Sequence, residues 1–137
     1  MSNLVLIISI LLSSSFSFAH GEDKYGPNRG FVRMPGAFHT ELVPEGKDKL
    51  KVFLLDIQWK NPSVINSELQ IKYNDKINAK CEIQDNFYTC TFPKTVNLTK
   101  KGELKVTAER EDQKGMEVSY SLPLRLEVVN DGHNGKH

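Results

Sequence analysis

The sequence predicts an all-β protein, an immunoglobulin-like β-sandwich of seven to eight strands with one intradomain disulfide. Three observations lead there. From Phe38 onward apolar residues recur with a period of two, and no segment shows a convincing 3.6-residue period. The alternating runs are short and closely spaced, seven or eight of them in about 100 residues. Finally, Cys81 and Cys90 fall opposite each other on the two arms of a single predicted hairpin.

The elements follow in chain order. Residues 1–19 carry no charged side chain, and Leu4 to Leu12 is apolar apart from Ser9. Ser17-Phe18-Ala19 then places small residues at minus three and minus one of a signal-peptidase site, so residues 1–19 read as a signal peptide cleaved after Ala19. Its apolar stretch is too short to span a bilayer. Residues 20–37, rich in Gly, Pro and charge, read as an irregular N-terminal arm with one short strand, Phe31 to Met34. Residues 38–129 form the sandwich domain, and residues 130–137 a flexible polar tail.

Within the domain, Phe38, Thr40 and Leu42 alternate with His39, Glu41 and Val43. Leu50 to Trp59 is apolar on both faces, which predicts a strand central in its sheet. Leu69 to Tyr73, Ile77 to Ile83, Tyr88 to Phe92, Leu104 to Ala108 and Val118 to Val128 supply the remaining strands; Pro123 marks the last as an edge strand or a bulge. The expected core includes Leu54, Ile57, Trp59, Ile71, Cys81, Cys90, Val106, Tyr120, Leu122 and Leu124.

A two-residue turn at Asp85-Asn86 makes Gln84 face Phe87 and brings Cys81 opposite Cys90 as a non-hydrogen-bonded pair, with Cα atoms about 4.5 Å apart. That separation suits a disulfide. An exported chain meets an oxidising compartment, so a structural bridge is expected. Closing this short loop stabilises the fold by roughly 2–3 kcal/mol in the chain-entropy account.

Composition excludes several functions. Eighteen basic and 17 acidic residues give a net charge of +1 with no basic stripe, so nucleic acid is not an expected partner. No second apolar stretch reaches transmembrane length, so the mature chain is expected to have no membrane span. No local pattern suggests a nucleophile triad, a phosphate-binding glycine loop or a zinc-protease helix, so the domain is not read as an enzyme.

The histidines carry the chemistry that remains. Cleavage after Ala19 makes His20 the mature N-terminus, where its amine and imidazole can chelate one ion, a geometry that suits Cu(II). Asp23 and Glu22 can add oxygens. His39 and Glu41 project from the same side of their strand, as a metal-binding pair or a solvated surface pair. Met34 offers a thioether suited to Cu(I). His133 and His137 read as solvated tail.

The segments Gly26-Pro27-Asn28-Arg29-Gly30 and Gly36-Ala37-Phe38-His39-Thr40-Glu41-Leu42-Val43, followed by Lys51-Val52-Phe53-Leu54-Leu55-Asp56, resemble the opening of small periplasmic heavy-metal- and copper-associated domains, the YtkA-like and FixH-like exported β-sandwiches. Those domains have a His-rich arm, then Gly-Pro-His-Gly-Gly, then Gly-x-x-His-x-Glu-Leu-Val. Here Asn28 replaces the His, Arg29 replaces a Gly, and the arm holds one His. The N-terminal His20 on a β-sandwich is also similar to periplasmic copper-resistance proteins. The resemblance implies a periplasmic or secreted carrier or sensor-type domain binding copper or another heavy metal through His20 and His39, with Glu41, Asp23 and Met34 in support. The alternative is a metal-free module that binds another envelope protein.

Overall fold

A computed structural model describes residues 24–127. Ten strands form: β1 Phe31–Arg33, β2 His39–Pro44, β3 Lys49–Leu55, β4 Glu68–Tyr73, β5 Ile77–Asn78, β6 Lys80–Gln84, β7 Phe87–Thr91, β8 Gly102–Arg110, β9 Gln113–Lys114 and β10 Val118–Leu122. No helix occurs among the described residues. One five-stranded sheet has the order β1-β2-β3-β7-β6; the other has β10-β8-β4-β5, with β9 also on β8. Every pairing is antiparallel.

The all-β class and the disulfide hold; the count of strands does not. Ten strands replace seven or eight because β5 and β9 are two-residue pairs. The run from Ile77 to Ile83 is also not one strand. Ile77–Asn78 pairs with β4 in one sheet, the Ala79 N–H donates to the Ile71 carbonyl, and Lys80–Gln84 pairs with β7 in the other sheet. The chain thus crosses between sheets without losing its alternation.

The core lies between the sheets. Leu42, Leu50, Val52, Leu54 and Cys90 on one side meet Ile71, Leu104, Val106, Val118 and Tyr120 on the other, all buried. Phe38, Val96 and Leu98 close the ends. Leu54, Ile71, Cys90, Val106, Tyr120 and Leu122 are core residues as expected. As predicted, β3 is the middle strand of its sheet. The Asp85-Asn86 turn pairs Gln84 with Phe87 and Cys81 with Cys90, which are bridged at a Cα separation of 4.0 Å. Asp85 adopts the positive φ, 56°, that such a turn demands.

Four members of the expected core need correction. Strand β3 ends at Leu55, and residues 56–60 turn, so Ile57 is 57% exposed and Trp59 half-buried. The cause is Asp56, whose carboxylate accepts hydrogen bonds from the Gln58 and Lys60 N–H groups at 2.9 Å each. A short acidic side chain that captures its own following backbone makes a turn, whatever the apolar alternation beyond it. Cys81 is half-buried because β6 is an edge strand. Leu124 is also half-buried: β10 ends at Leu122, before Pro123, instead of running to Val128. The placement of β10 at a sheet edge agrees with the reading of Pro123.

Two arginines are buried against expectation for charged side chains. Arg33 lies 4.3 Å from the centroid of the Tyr120 ring, donates to the Ser119 and Val32 carbonyls and pairs with Glu127 at 2.9 Å. Arg110 donates to the carbonyls of Leu54 and Asn61, joining β8 to the end of β3 and the turn after it. Between the sheets, Tyr120 donates to the Thr40 carbonyl at 3.1 Å, and its oxygen lies 2.7 Å from Thr40 Oγ1. Burial pushes the Tyr120 hydroxyl far above its ordinary range.

Candidate functional site

Strand β2 turns Thr40 and Leu42 into the core and presents His39 and Glu41 on the outer face of its sheet. An outer face ordinarily meets water. Here His39 is 3% and Glu41 0% exposed, so the pair is not a solvated surface pair. Two different structures cover it.

The N-terminal arm covers Glu41. Residues 26–30 close into a loop through Gly26 N–H to the Gly30 carbonyl and Arg29 N–H to the Gly26 carbonyl, both 2.9 Å. The loop aims three donors at the carboxylate: Asn28 N–H at 2.9 Å and Gly30 N–H at 2.7 Å on Oε2, and Asn28 Nδ2 at 2.9 Å on Oε1. Glycine is required for this approach. A Cβ on Gly26 would sit 2.5 Å from Glu41 Cδ, and one on Gly30 would sit 2.6 Å from the Leu42 carbonyl oxygen. The arm is therefore part of the sandwich: its loop clasps Glu41, and Phe31–Arg33 becomes the edge strand β1. Glu41 holds the arm, and each of its oxygens already accepts a hydrogen bond.

The turn after β3 covers His39. The Trp59 ring stacks on the imidazole with centroids 3.9 Å apart and planes 21° apart. To reach that position Trp59 adopts φ 67° and Asn61 φ 50°, left-handed conformations uncommon for non-glycine residues and rarest for bulky ones. Asp56 enforces them. It accepts from Gln58 N–H, Lys60 N–H and Asn61 Nδ2, and its carbonyl accepts from Trp59 N–H. The Lys60 N–H, foremost among these donors, holds the Asp56 carboxyl below its ordinary range; Asn61, Gln58 and the Arg110 charge act in the same direction, against desolvation.

The same Asp56 carbonyl lies 3.1 Å from His39 Nδ1. A carbonyl only accepts, so Nδ1 donates. In the neutral ring this leaves the lone pair on Nε2, the arrangement that orients metal-binding imidazoles. Among the described residues His39 makes no other side-chain hydrogen bond.

Met34 is half-buried at the end of β1. His20, Glu22, Asp23, His133 and His137 lie outside the described residues, as do residues 1–19, read as a signal peptide, and residues 130–137, read as a tail. Among the described residues no three His, Cys, Asp or Glu side chains gather as a metal cluster, and no helix is long and apolar enough to cross a membrane. Sequence reasoning finds His39 and Glu41 but misses Trp59 and Asp56 as the neighbours of His39, and Asn28 and Gly30 as those of Glu41. The one available signal is the Asp56 to Asn61 spacing, which marks a turn.

No protein-family profile, curated protein or solved structure matches this chain.

Proposed function

We propose that this is an exported metal-binding domain of the cell envelope, copper first, which holds Cu(II) through the His20 amine and imidazole together with His39. The observation that carries the reading is the buried His39 imidazole, with Nδ1 fixed on a backbone carbonyl and Nε2 left as a ligand atom. The clasp adds to it. Gly26 is packed against Glu41, on the face that bears His39, and His20 is six residues earlier, a reach of at most about 20 Å. The similarity to YtkA-like and FixH-like domains supports the same reading. Where their pattern has His, Asn28 makes the hydrogen bond to Glu41, so the change keeps the clasp while removing an imidazole.

Calorimetry and electron paramagnetic resonance of the processed protein with Cu(II) test this. One ion is expected to bind with nitrogen ligation. Prefixing one Ala to His20 keeps the imidazole but removes the chelating amine, so affinity falls markedly, and it falls again in His39→Ala. Binding unchanged by the extra Ala, or absent at micromolar copper, refutes the proposal.

A different observation favours the alternative reading, a metal-free module for an envelope-protein partner. Ile57, Ile65 and Met116 are exposed. All belong to loops joined at one end of the sandwich through Glu111 N–H to Ile65 O, Met116 N–H to Pro35 O and Arg110 to Asn61 O.

A further inference from the structure

Beyond the copper reading and independent of it, we propose that one end of the sandwich docks on an anionic lipid bilayer. It is the end where β2 stops at Pro44 and β3 starts at Lys49. There the turn 45–48 is tied to the loop 92–101: the Phe92 N–H donates to the Asp48 carbonyl and the Leu98 N–H to the Lys47 carbonyl. An apolar recess of about 190 Å³ opens at this end, lined by Phe31, Pro44, Leu98, Pro123 and Leu124 together with Gly46 and Thr99. Cations follow its lining residues in the chain. Lys47 comes after Gly46, Lys100 and Lys101 after Thr99, and Arg125 after Leu124. All four are exposed, and among the described residues none of them forms an ion pair. The acids of the turn are taken, Glu45 by Lys51 and Asp48 by Lys94.

The distribution of charge selects the occupant. Residues 45–48, 92–101 and 123–125 set Lys47, Lys94, Lys100, Lys101 and Arg125 against Glu45 and Asp48, a balance of +3 where the whole chain has +1. At the opposite end, residues 56–67, 85–86 and 111–117 set Asp56, Asp85, Glu111, Asp112 and Glu117 against Lys60 and Lys114, a balance of −3. The two ends are separated by the length of β3, roughly 20 Å. Such a charge separation turns the basic end toward a negative surface and the turn over His39 away from it. The recess is open and smaller than the roughly 300–1,000 Å³ of pockets that enclose a small molecule. A bilayer needs no enclosure. Its anionic headgroups meet the cations, and the apolar lining settles at the boundary between headgroups and acyl chains. The basic end of a second copy is excluded by like charge, which leaves the acidic end of a second copy as the competing occupant.

The processed, disulfide-bonded protein is sedimented with vesicles of phosphatidylglycerol and phosphatidylcholine in equal parts, and with vesicles of phosphatidylcholine alone. It is expected to partition at least tenfold more strongly onto the first, and to be released by about 0.5 M NaCl, which screens exposed charges. A cation near an anionic surface strengthens binding about fivefold. Lys100→Gln combined with Lys101→Gln should therefore lower the partition at least tenfold. Thr99→Glu, an acid set in the lining of the recess, should lower it as much. Lys60→Gln combined with Lys114→Gln removes the same charge from the opposite end and should leave it unchanged. All four lysines are exposed, so both double variants should fold, which far-UV circular dichroism checks. Trp59 is the only tryptophan and lies in the turn at the opposite end, so brominated acyl chains should leave its emission unquenched. Equal binding to the two kinds of vesicle, equal loss in the two double variants, or quenching of Trp59 overturns the inference. Absence of vesicle binding by the folded protein overturns it too; self-association at low salt, seen by sedimentation velocity without vesicles, then assigns the basic end to the acidic end of a second copy.

Discussion

The clasp on Glu41 makes a quantitative demand of Gly30. A Cβ there would stand 2.6 Å from the Leu42 carbonyl oxygen, 2.7 Å from Glu41 Cγ and 2.7 Å from Val43 Cγ2. Carbon atoms in favourable contact sit about 3.5–4.0 Å apart, so the loop must retreat by roughly 1 Å in Gly30→Ala. That carries the Gly30 N–H, now 2.7 Å from the carboxylate, beyond hydrogen-bonding range. A buried hydrogen bond to a charged group is worth about 1.5–3 kcal/mol. The alanine lowers the entropy of the unfolded chain, which offsets about 0.4–1 kcal/mol. The net loss is about 0.5–2.5 kcal/mol, or a Tm lower by about 2–10 °C for a domain of this size. Gly36→Ala is the control. Its Cβ would meet only the Lys114 carbonyl oxygen at 3.5 Å and Gly115 Cα at 3.8 Å, ordinary contacts. It should be as stable as the parent, or more stable by up to about 1 kcal/mol. Urea and thermal unfolding followed by far-UV circular dichroism, with the disulfide intact, measure both. A Gly30→Ala protein that melts at or above the parent, or the same loss in both variants, refutes the clasp as a stabilising element.

Three further outcomes are expected. Val106 is buried between Ile71 and Val118 on its neighbouring strands, so Val106→Asp buries a carboxylate with no evident partner and should cost at least about 3 kcal/mol; a midpoint within a degree or two of the parent contradicts its inward placement. Because burial raises the Tyr120 pKa, the folded state keeps a proton that the unfolded chain releases near pH 10; stability is complete below that pH and falls above it by up to about 1.4 kcal/mol per unit, a slope that urea midpoints between pH 9 and 11.5 should show reduced in Tyr120→Phe. Asp56→Ala removes the acceptor for three donors of the 56–61 turn, so Trp59 should leave His39, its emission shift to the red and acrylamide quench it more readily; unchanged emission would mean that the stack does not depend on Asp56.

The features legible in the sequence are those set by near neighbours. The cysteine register needs only the period of two and a two-residue turn, and the chain pairs Cys81 with Cys90 accordingly. The central place of β3 is likewise readable from its consecutive apolar residues, although only Leu50, Val52 and Leu54 on its inner face and Leu55 at its end are buried, while Lys49 is exposed and Lys51 and Phe53 are half-buried. Trp59 misleads because the alternation continues through a turn that a single carboxylate imposes. The cover over Glu41 is hidden for a different reason: its donors lie 11 and 13 residues earlier, in a segment whose glycines suggest irregular chain. Arg33 and Arg110 are hidden too, since charge predicts exposure until the backbone carbonyl oxygens of Val32, Ser119, Leu54 and Asn61 take up the guanidinium hydrogens.

The clasp also changes what the motif says about function. Gly26, Gly30 and Glu41 are among the residues that carry the resemblance, Asn28 stands where its pattern has His, and the fold itself uses all four. The two glycines admit the carboxylate, and Asn28 and Gly30 donate hydrogen bonds to it. A chain could keep all four to hold its N-terminal arm against the sheet and bind no metal. His39 is not needed by that clasp. It lies on the same face, is excluded from water, has its tautomer set by the Asp56 carbonyl, and is covered by a tryptophan that a constrained backbone holds in place. Packing alone would be served as well by an apolar residue, which needs no hydrogen bond when buried. The case for metal chemistry therefore passes from the glycine motif to His39 and the Trp59 ring stacked on it.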